Sequence, residues 1–177
     1  MRFEWKRALA AGCLVAGLMV PAAFAGEDTH GIANASFPEK GILAAGQPTG
    51  EQLQVLAEEG YKTVIDLRPD SESRGYDEVE AAKANGLTYV NIPVTGATLD
   101  KAAIDRFVAE LDKAQRPVIV HCASSNRVGA LYYAWLREKG MPRDEALAKG
   151  KAAGLKSPEL IEKVDAALAG GAEKPQG

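Results

Sequence analysis

The residues of this sequence best suited to chemistry are a cysteine and an arginine that enclose a short loop. Cys122 follows the apolar run of residues 118–120, which predicts a buried strand, and Arg127 begins an amphipathic stretch that predicts a helix. A loop between a strand and a helix points backbone N–H groups and the positive end of the helix dipole at one place. We therefore expect an anion site, formed by Ala123, Ser124, Ser125, Asn126, Arg127 and Val128.

The same loop would make Cys122 a nucleophile. Its thiolate would be stabilised by the donors that attract an anion. Arg127 would stand in the first helical turn, where a cation is repelled by the positive end of the helix dipole. This position is easiest to explain if a bound anion lies between the guanidinium and the helix. An inert core cysteine and a surface arginine are the plainer alternatives, and the electropositive loop weighs against the first of them.

Four further residues are expected to support the loop. His121 precedes the cysteine at the end of the predicted strand, where a histidine usually makes a hydrogen bond and does not act as a base. Asp66, Arg68 and Asp70 come at the end of another apolar run, and we expect ion pairs among them that hold the loop in place.

The elements that must position these residues alternate along the chain. Apolar runs predict strands at residues 41–45, 61–67, 87–94 and 117–120, and helical periodicity predicts helices at 49–60, 76–84, from 98, from 127 to 140, 143–153 and 158–169. This alternation predicts a single-domain α/β fold with a mostly parallel sheet and helices on both faces. In such sheets ligands bind beyond the carboxyl ends of the strands, where the cysteine loop lies.

Composition excludes several classes of function. The 177 residues suit one domain, and 21 basic against 24 acidic residues give a net charge of -3, which offers no cationic surface for nucleic acid. Two cysteines and two histidines cannot form a disulfide framework or a cysteine-rich metal cluster. We expect no metal and no cofactor.

The first 25 residues predict a signal peptide. A basic start precedes the apolar run 8–20, and Ala23-Phe24-Ala25 matches a signal-peptidase site, so cleavage after Ala25 and export to a bacterial periplasm are expected. The apolar run is shorter than the roughly 20 residues that span a bilayer, so no stable membrane anchor is expected after cleavage. Residues 26–40 would then be a leader, 41–169 the α/β domain and 170–177 a flexible tail.

Four stretches carry a resemblance to a known family. The loop from His121-Cys122 to Arg127 resembles the phosphate-binding loop of the cysteine-dependent protein tyrosine and dual-specificity phosphatases. Together with residues 46–48, 63–70 and 86–94, it looks like the beta-lactamase-hydrolase-like phosphatase-like family, whose members are often labelled sulfur transferases. The resemblance implies that Cys122 is the nucleophile, that Arg127 clamps the anion, and that a phosphorylated small molecule or protein is the substrate.

The sequence departs from the phosphatase pattern in three ways. Four residues separate Cys122 from Arg127 where the phosphatases have five, and this shorter loop resembles that of rhodanese-type sulfurtransferases. Val128 stands where the phosphatases usually have a serine or threonine. Residues 95–98 include no acid at the place of the family's general acid, and Asp100 is the nearest substitute.

Three functions therefore stay open. An exported phosphatase would form a phosphocysteine on Cys122, and a sulfurtransferase would carry a persulfide there and take a sulfur donor as substrate. A non-catalytic module would bind phosphate or sulfate without reacting.

Overall fold

A computed structural model describes residues 28–171 of the chain. The predicted signal peptide lies outside these residues, as do residues 172–177 of the predicted tail. Within the described part, no helix is both long enough and apolar enough to cross a membrane.

Five strands form one sheet in the order β1-β2-β5-β3-β4. They are β1 (Ser36–Glu39), β2 (Ile42–Ala45), β3 (Thr63–Asp66), β4 (Thr88–Asn91) and β5 (Val118–His121). The edge strand β1 is antiparallel to β2, and the other neighbours are parallel. Every residue of β2, β3 and β5 is buried, as expected for inner strands covered on both faces.

Within residues 28–171, six helices cover the two faces of the sheet. They are α1 (Gly50–Glu58), α2 (Glu78–Ala84), α3 (Lys101–Lys113), α4 (Asn126–Glu138), α5 (Arg143–Ala152) and α6 (Pro158–Gly171). Alternate residues of the inner strands belong to two separate apolar clusters, because side chains of a strand alternate between faces. Residues of α1 and α2 complete one cluster, and residues of α3 to α6 complete the other.

Strand register brings the carboxyl ends of the inner strands together. His121, the last residue of β5, pairs with Ala45 at the end of β2 on one side and with Asp66 at the end of β3 on the other. Asp66 in turn pairs with Asn91 at the end of β4. The loop that begins at Cys122 therefore starts at the centre of this edge.

The predicted α/β fold with a mostly parallel sheet and helices on both faces is confirmed. The structure differs from the prediction at β1, which lies inside residues 26–40, the segment interpreted as a leader. This strand reads SFPE, and its Pro38 is compatible with an edge position because proline cannot donate a ladder hydrogen bond.

Candidate active site

Cys122 lies at the centre of the carboxyl edge of the sheet and is 1% exposed. Its N–H donates a hydrogen bond of 3.3 Å to the carbonyl of Ala45, which extends the pairing of β5 with β2 by one residue. Its thiol forms no disulfide within residues 28–171.

The loop after Cys122 leads into α4 without a side-chain cap. Ser125 stands at the N-cap with a left-handed backbone (φ 66°), which is uncommon for a residue other than glycine. Its hydroxyl donates to the carbonyl of Ala153 (2.9 Å) and not to the helix. The first hydrogen bond of the helix runs from the Gly129 N–H to the Ser125 carbonyl (2.9 Å). The N–H groups of residues 126–128 therefore have no acceptor within the helix and can face an anion.

The side chains of the loop have other partners. Asn126 Oδ1 accepts hydrogen bonds from the N–H groups of Lys156 (2.7 Å) and Ser157 (3.2 Å), so this residue holds the connection between α5 and α6. Val128 is buried in the core, and Ala123 and Ser124 are exposed. An anion in this loop would therefore be held by backbone N–H groups and by Arg127.

Gly46 lets the chain after β2 approach the cysteine loop closely. It forms an isolated antiparallel bridge with Ser124, and its N–H donates to the carbonyl of Ala33 (2.7 Å). A Cβ atom at Gly46 would lie 2.7 Å from the Ala33 oxygen and 3.1 Å from the Ala123 oxygen. Only glycine fits here without a backbone shift.

Arg127 reaches back over the loop and is fixed by a carboxylate. Its Nη1 and Nη2 each donate a 2.8 Å hydrogen bond to one oxygen of Glu72, and Nη1 also donates to the carbonyl of Val94 (2.9 Å). Burial by itself lowers the pKa of Arg127, but Glu72 and the neighbouring Cys122 sulfur outweigh burial and raise the pKa above its ordinary value. The guanidinium therefore carries its charge beside the cysteine.

A buried cluster of charges lies beneath the loop. Asp66 Oδ1 accepts the Arg68 N–H (2.9 Å), and Oδ2 accepts Arg74 Nε and the Tyr89 hydroxyl, each at 2.9 Å. The Arg68 side chain is 2% exposed, and its Nη1 donates to Gln47 Oε1. Gln47 Nε2 donates to the Arg74 carbonyl (2.6 Å), so the chain that follows β2 is joined to this cluster.

Glu78 and His121 complete the cluster. Both side chains are 0% exposed, and His121 Nε2 lies 2.7 Å from Glu78 Oε1, although the two groups are not aligned as a good hydrogen bond. Glu78 Oε2 lies 3.8 Å from Arg68 Nη2 and 3.9 Å from Arg74 Nε. The formal charges of the cluster are the two carboxylates of Asp66 and Glu78 and the guanidinium groups of Arg68 and Arg74.

This cluster includes three groups of metal-ligand type. Ligand atoms of Asp66, Glu78 and His121 lie within 4.8 Å of one another. Both oxygens of Asp66 already accept hydrogen bonds, and the guanidinium groups of Arg68 and Arg74 face the two carboxylates. These side chains do not suit a cation, because its charge would meet two fixed positive groups.

The structure brings together most of the expected site residues. Asp66, Arg68 and His121 meet beneath the loop. Asp70 does not join them, since its side chain is 99% exposed and lies 3.8 Å from Arg74. Asp100 is the N-cap of α3, where its Oδ1 accepts the Ala103 N–H (2.8 Å).

Three residues of the site were not expected from the sequence: Glu72, Arg74 and Glu78. Their contacts depend on how residues 69–77 fold back over the sheet edge, and charged residues in a connecting loop give no signal of such partners. A buried arginine at position 68 would have required buried carboxylates nearby, which is the one indication that could have pointed to Glu78.

Comparison with known proteins places this chain in a family. The family model described as "DSP-PTPase phosphatase fused to NAD+ Kinase" matches residues 26–165. Beta-lactamase hydrolase-like proteins of Xylella fastidiosa (strain Temecula1) and Agrobacterium fabrum are 36% and 38% identical over 119 and 95 residues, covering 64% and 51% of this chain. The chain spans about a quarter of these relatives, 28% and 22% of their lengths.

Solved structures show the same fold. A phosphatase candidate from Neisseria meningitidis is 26% identical, with a TM-score of 0.62 over 73% of this chain and 95% of that one. The structure of P. aeruginosa TpbA in complex with pTyr is 17% identical, with a TM-score of 0.63 over 88% of this chain and 99% of that one. The second likeness concerns the fold alone.

Proposed function

Since the chain belongs to the family of DSP-PTPase phosphatases fused to NAD+ kinase, we propose that it is a cysteine-dependent phosphatase with Cys122 as the nucleophile. The observation that carries this proposal is that Cys122 directly follows β5 and Arg127 stands in the first turn of α4, whose start no side chain caps, with the guanidinium held by Glu72 and the carbonyl of Val94. An uncapped helix start beside a cation favours a dianionic group such as a phosphate monoester.

In the first step the Cys122 thiolate attacks phosphorus. A sulfur–phosphorus bond forms, the phosphorus–oxygen bond to the leaving group breaks, and the leaving oxygen takes a proton. The N–H groups of residues 126–128 and Arg127 stabilise the negative charge on the transferring phosphoryl oxygens. Glu72 holds the guanidinium in place for this contact.

In the second step water attacks the phosphocysteine. The sulfur–phosphorus bond breaks, the thiolate returns, and inorganic phosphate leaves. Val128 offers no hydroxyl that could assist the departing sulfur, whereas the phosphatases usually have a serine or threonine at this place. We therefore expect the phosphocysteine to break down slowly and to accumulate.

Intact-mass spectrometry after rapid acid quench tests the mechanism. During turnover of p-nitrophenyl phosphate, the protein is expected to gain the mass of one phosphoryl group, and Cys122→Ser is expected to abolish both the adduct and turnover. The matched control is Val55→Ala, which shortens an exposed side chain on α1 and should retain both. Unchanged turnover by Cys122→Ser would refute the proposal.

A second candidate function is sulfur transfer through a persulfide on Cys122. The four-residue spacing between Cys122 and Arg127 favours it, because this spacing resembles rhodanese-type loops. The same mass experiment with thiosulfate separates the two, since a persulfide adds the mass of one sulfur atom. Neither adduct, together with saturable phosphate or sulfate binding, would favour a non-catalytic binding module.

We also propose that the protein is exported and acts on a phosphorylated small molecule or protein in the periplasm. The basic start, the apolar run and the Ala23-Phe24-Ala25 site support export. Expression of the full chain in a bacterium, followed by fractionation and N-terminal sequencing, is expected to find a periplasmic form that begins at Gly26. A cytoplasmic form that retains Met1 would contradict this.

A further inference from the structure

The expected general-acid segment lacks an acid, so another group must protonate the leaving oxygen if the proposed reaction is to act on poor leaving groups. Residues 95–98 read TGAT. The Asp100 carboxylate accepts the Ala103 N–H at 2.8 Å and caps α3, and the Glu72 carboxylate is held by two hydrogen bonds from Arg127. These two carboxylates therefore already have structural partners.

Glu159 is a carboxylate on a different element that faces the same segment. It stands in the first turn of α6, is exposed, and has no hydrogen bond or ion pair with any residue in the described range 28–171. A Cβ atom at Gly96 would lie 4.0 Å from Glu159 Oε1 and 4.0 Å from Leu160 Cδ2. The middle of the acid-free segment therefore packs against this carboxylate.

Two hydrogen bonds from the start of α4 position Glu159 and the segment that it faces. Asn126 Oδ1 accepts the N–H of Ser157, two residues before Glu159, and Arg127 Nη1 donates to the carbonyl of Val94, two residues before Gly96. Two residues span at most about 7 Å. The residues before Glu159 are therefore held by Asn126, and the residues before Gly96 are held by Arg127. Because Asn126 and Arg127 are adjacent at the start of α4, Glu159 lies at the rim of the site.

The first turn of α6 is itself well fixed. The Ser157 hydroxyl accepts the Leu160 N–H at 3.3 Å, and Leu160 is 6% exposed within the core cluster that also includes Val94. The Ser125 hydroxyl donates to the carbonyl of Ala153, at the start of the same connection. The backbone that carries Glu159 therefore keeps its position relative to the loop, while the side chain is free to turn toward a substrate.

We propose that Glu159 is the general acid and base of this site, an inference that rests on the proposed phosphatase function. In the first step the Glu159 carboxyl gives its proton to the leaving oxygen as the phosphorus–oxygen bond breaks and the sulfur–phosphorus bond forms. In the second step the Glu159 carboxylate takes a proton from the attacking water, the phosphocysteine bond breaks, and phosphate leaves. The carboxyl is restored, so protons balance over one turnover.

The test compares Glu159→Gln with Glu162→Gln on two substrates. Glu162 is an exposed glutamate near the start of the same helix, so Glu162→Gln removes the same charge from the same part of α6. Glu159→Gln is expected to lower kcat/KM on phenyl phosphate, a poor leaving group, by about 10² or more, and to have a much smaller effect on kcat/KM for p-nitrophenyl phosphate. The ratio kcat/KM is compared because it reports the first step, in which the leaving oxygen is protonated. Glu162→Gln should leave both values unchanged.

The outcomes separate this inference from the proposed function. Equal small effects of Glu159→Gln on kcat/KM for both substrates would overturn the inference and would agree with a merely stabilising acid at a helix start. A leaving-group-dependent loss in Asp100→Asn, with none in Glu159→Gln, would assign the role to Asp100 and also overturn it. Turnover that is absent from the wild-type protein, or that survives Cys122→Ser, would remove the proposed function and this inference with it.

Discussion

Replacement of Glu78 by alanine is expected to destabilise the protein strongly, because it removes one of two carboxylates from a closed cluster of charges. Glu78 is 0% exposed, and its nearest cationic partner, Arg68, is 2% exposed. Asp66 and Glu78 together balance the two buried or half-buried guanidinium groups of Arg68 and Arg74. Without Glu78, one positive charge stays in the interior without compensation.

The expected magnitude follows from this geometry. Removal of one partner from a buried ion pair typically costs about 3–5 kcal/mol, because the other charge is left buried and unpaired. For a domain of this size, each kcal/mol lowers the Tm by roughly 2–4 °C, so we expect a decrease of about 6–20 °C. Loss of the 2.7 Å contact with His121 should also loosen the start of the cysteine loop.

Urea denaturation and thermal melting of the chain from Gly26 measure this effect at pH 7. Glu80→Ala is the matched control, since Glu80 is an exposed glutamate two residues further along the same helix. It is expected to cost less than about 1 kcal/mol, in keeping with an exposed first-turn acid. If Glu78→Ala cost no more than Glu80→Ala, the cluster would not be a closed, buried set of charges, and our account of the loop support would be refuted.

Three further predictions concern other contacts. Glu72→Ala should lower kcat/KM for p-nitrophenyl phosphate about tenfold or more by releasing Arg127 from its charge-assisted pair, and an increase would mean that Glu72 competes with substrate. Gly154→Ala should destabilise the protein by about 1–3 kcal/mol in urea, because φ is +106° and the new Cβ would lie 2.7 Å from that of Ser125. Burial alone would raise the pKa of Asp112, but hydrogen bonds from a lysine and a tryptophan outweigh it and lower the pKa. The ionised Asp112 carboxylate therefore stabilises the folded protein above the pKa that Asp112 has in the unfolded chain, and this stabilisation is lost as the pH falls through its lower pKa in the folded protein. Asp112→Asn should lower the Tm at pH 7 and have little effect on the Tm near pH 2.

The position of the cysteine loop could be predicted from the sequence because its signals are local. The apolar run before Cys122 and the amphipathic stretch after Arg127 specify a strand, a tight loop and a helix, and the parallel sheet then places the loop at the carboxyl edge. The meeting of His121 with Asp66 also follows, since both residues end neighbouring strands.

The partners of these residues could not be predicted in the same way. Glu72 and Glu78 lie in and after a loop with no periodicity, and their contacts arise only when that loop folds over the sheet edge. The sequence predicted an anion loop that includes Ser125 and Asn126, but it did not indicate that their hydroxyl and amide oxygen bind the backbone between α5 and α6. A polar side chain in a loop has several acceptors and donors within reach, and tertiary packing selects among them.

The central claim is that Cys122 is a nucleophile in an anion site completed by Arg127. Its most direct test is the rate of alkylation of Cys122 by iodoacetamide, measured by mass spectrometry in the chain from Gly26 with increasing inorganic phosphate. The account predicts saturable protection by phosphate in the wild-type protein and little protection in Arg127→Met. An alkylation rate that does not change with phosphate concentration, or alkylation of the unfolded protein alone, would contradict this claim and identify Cys122 as a packing residue.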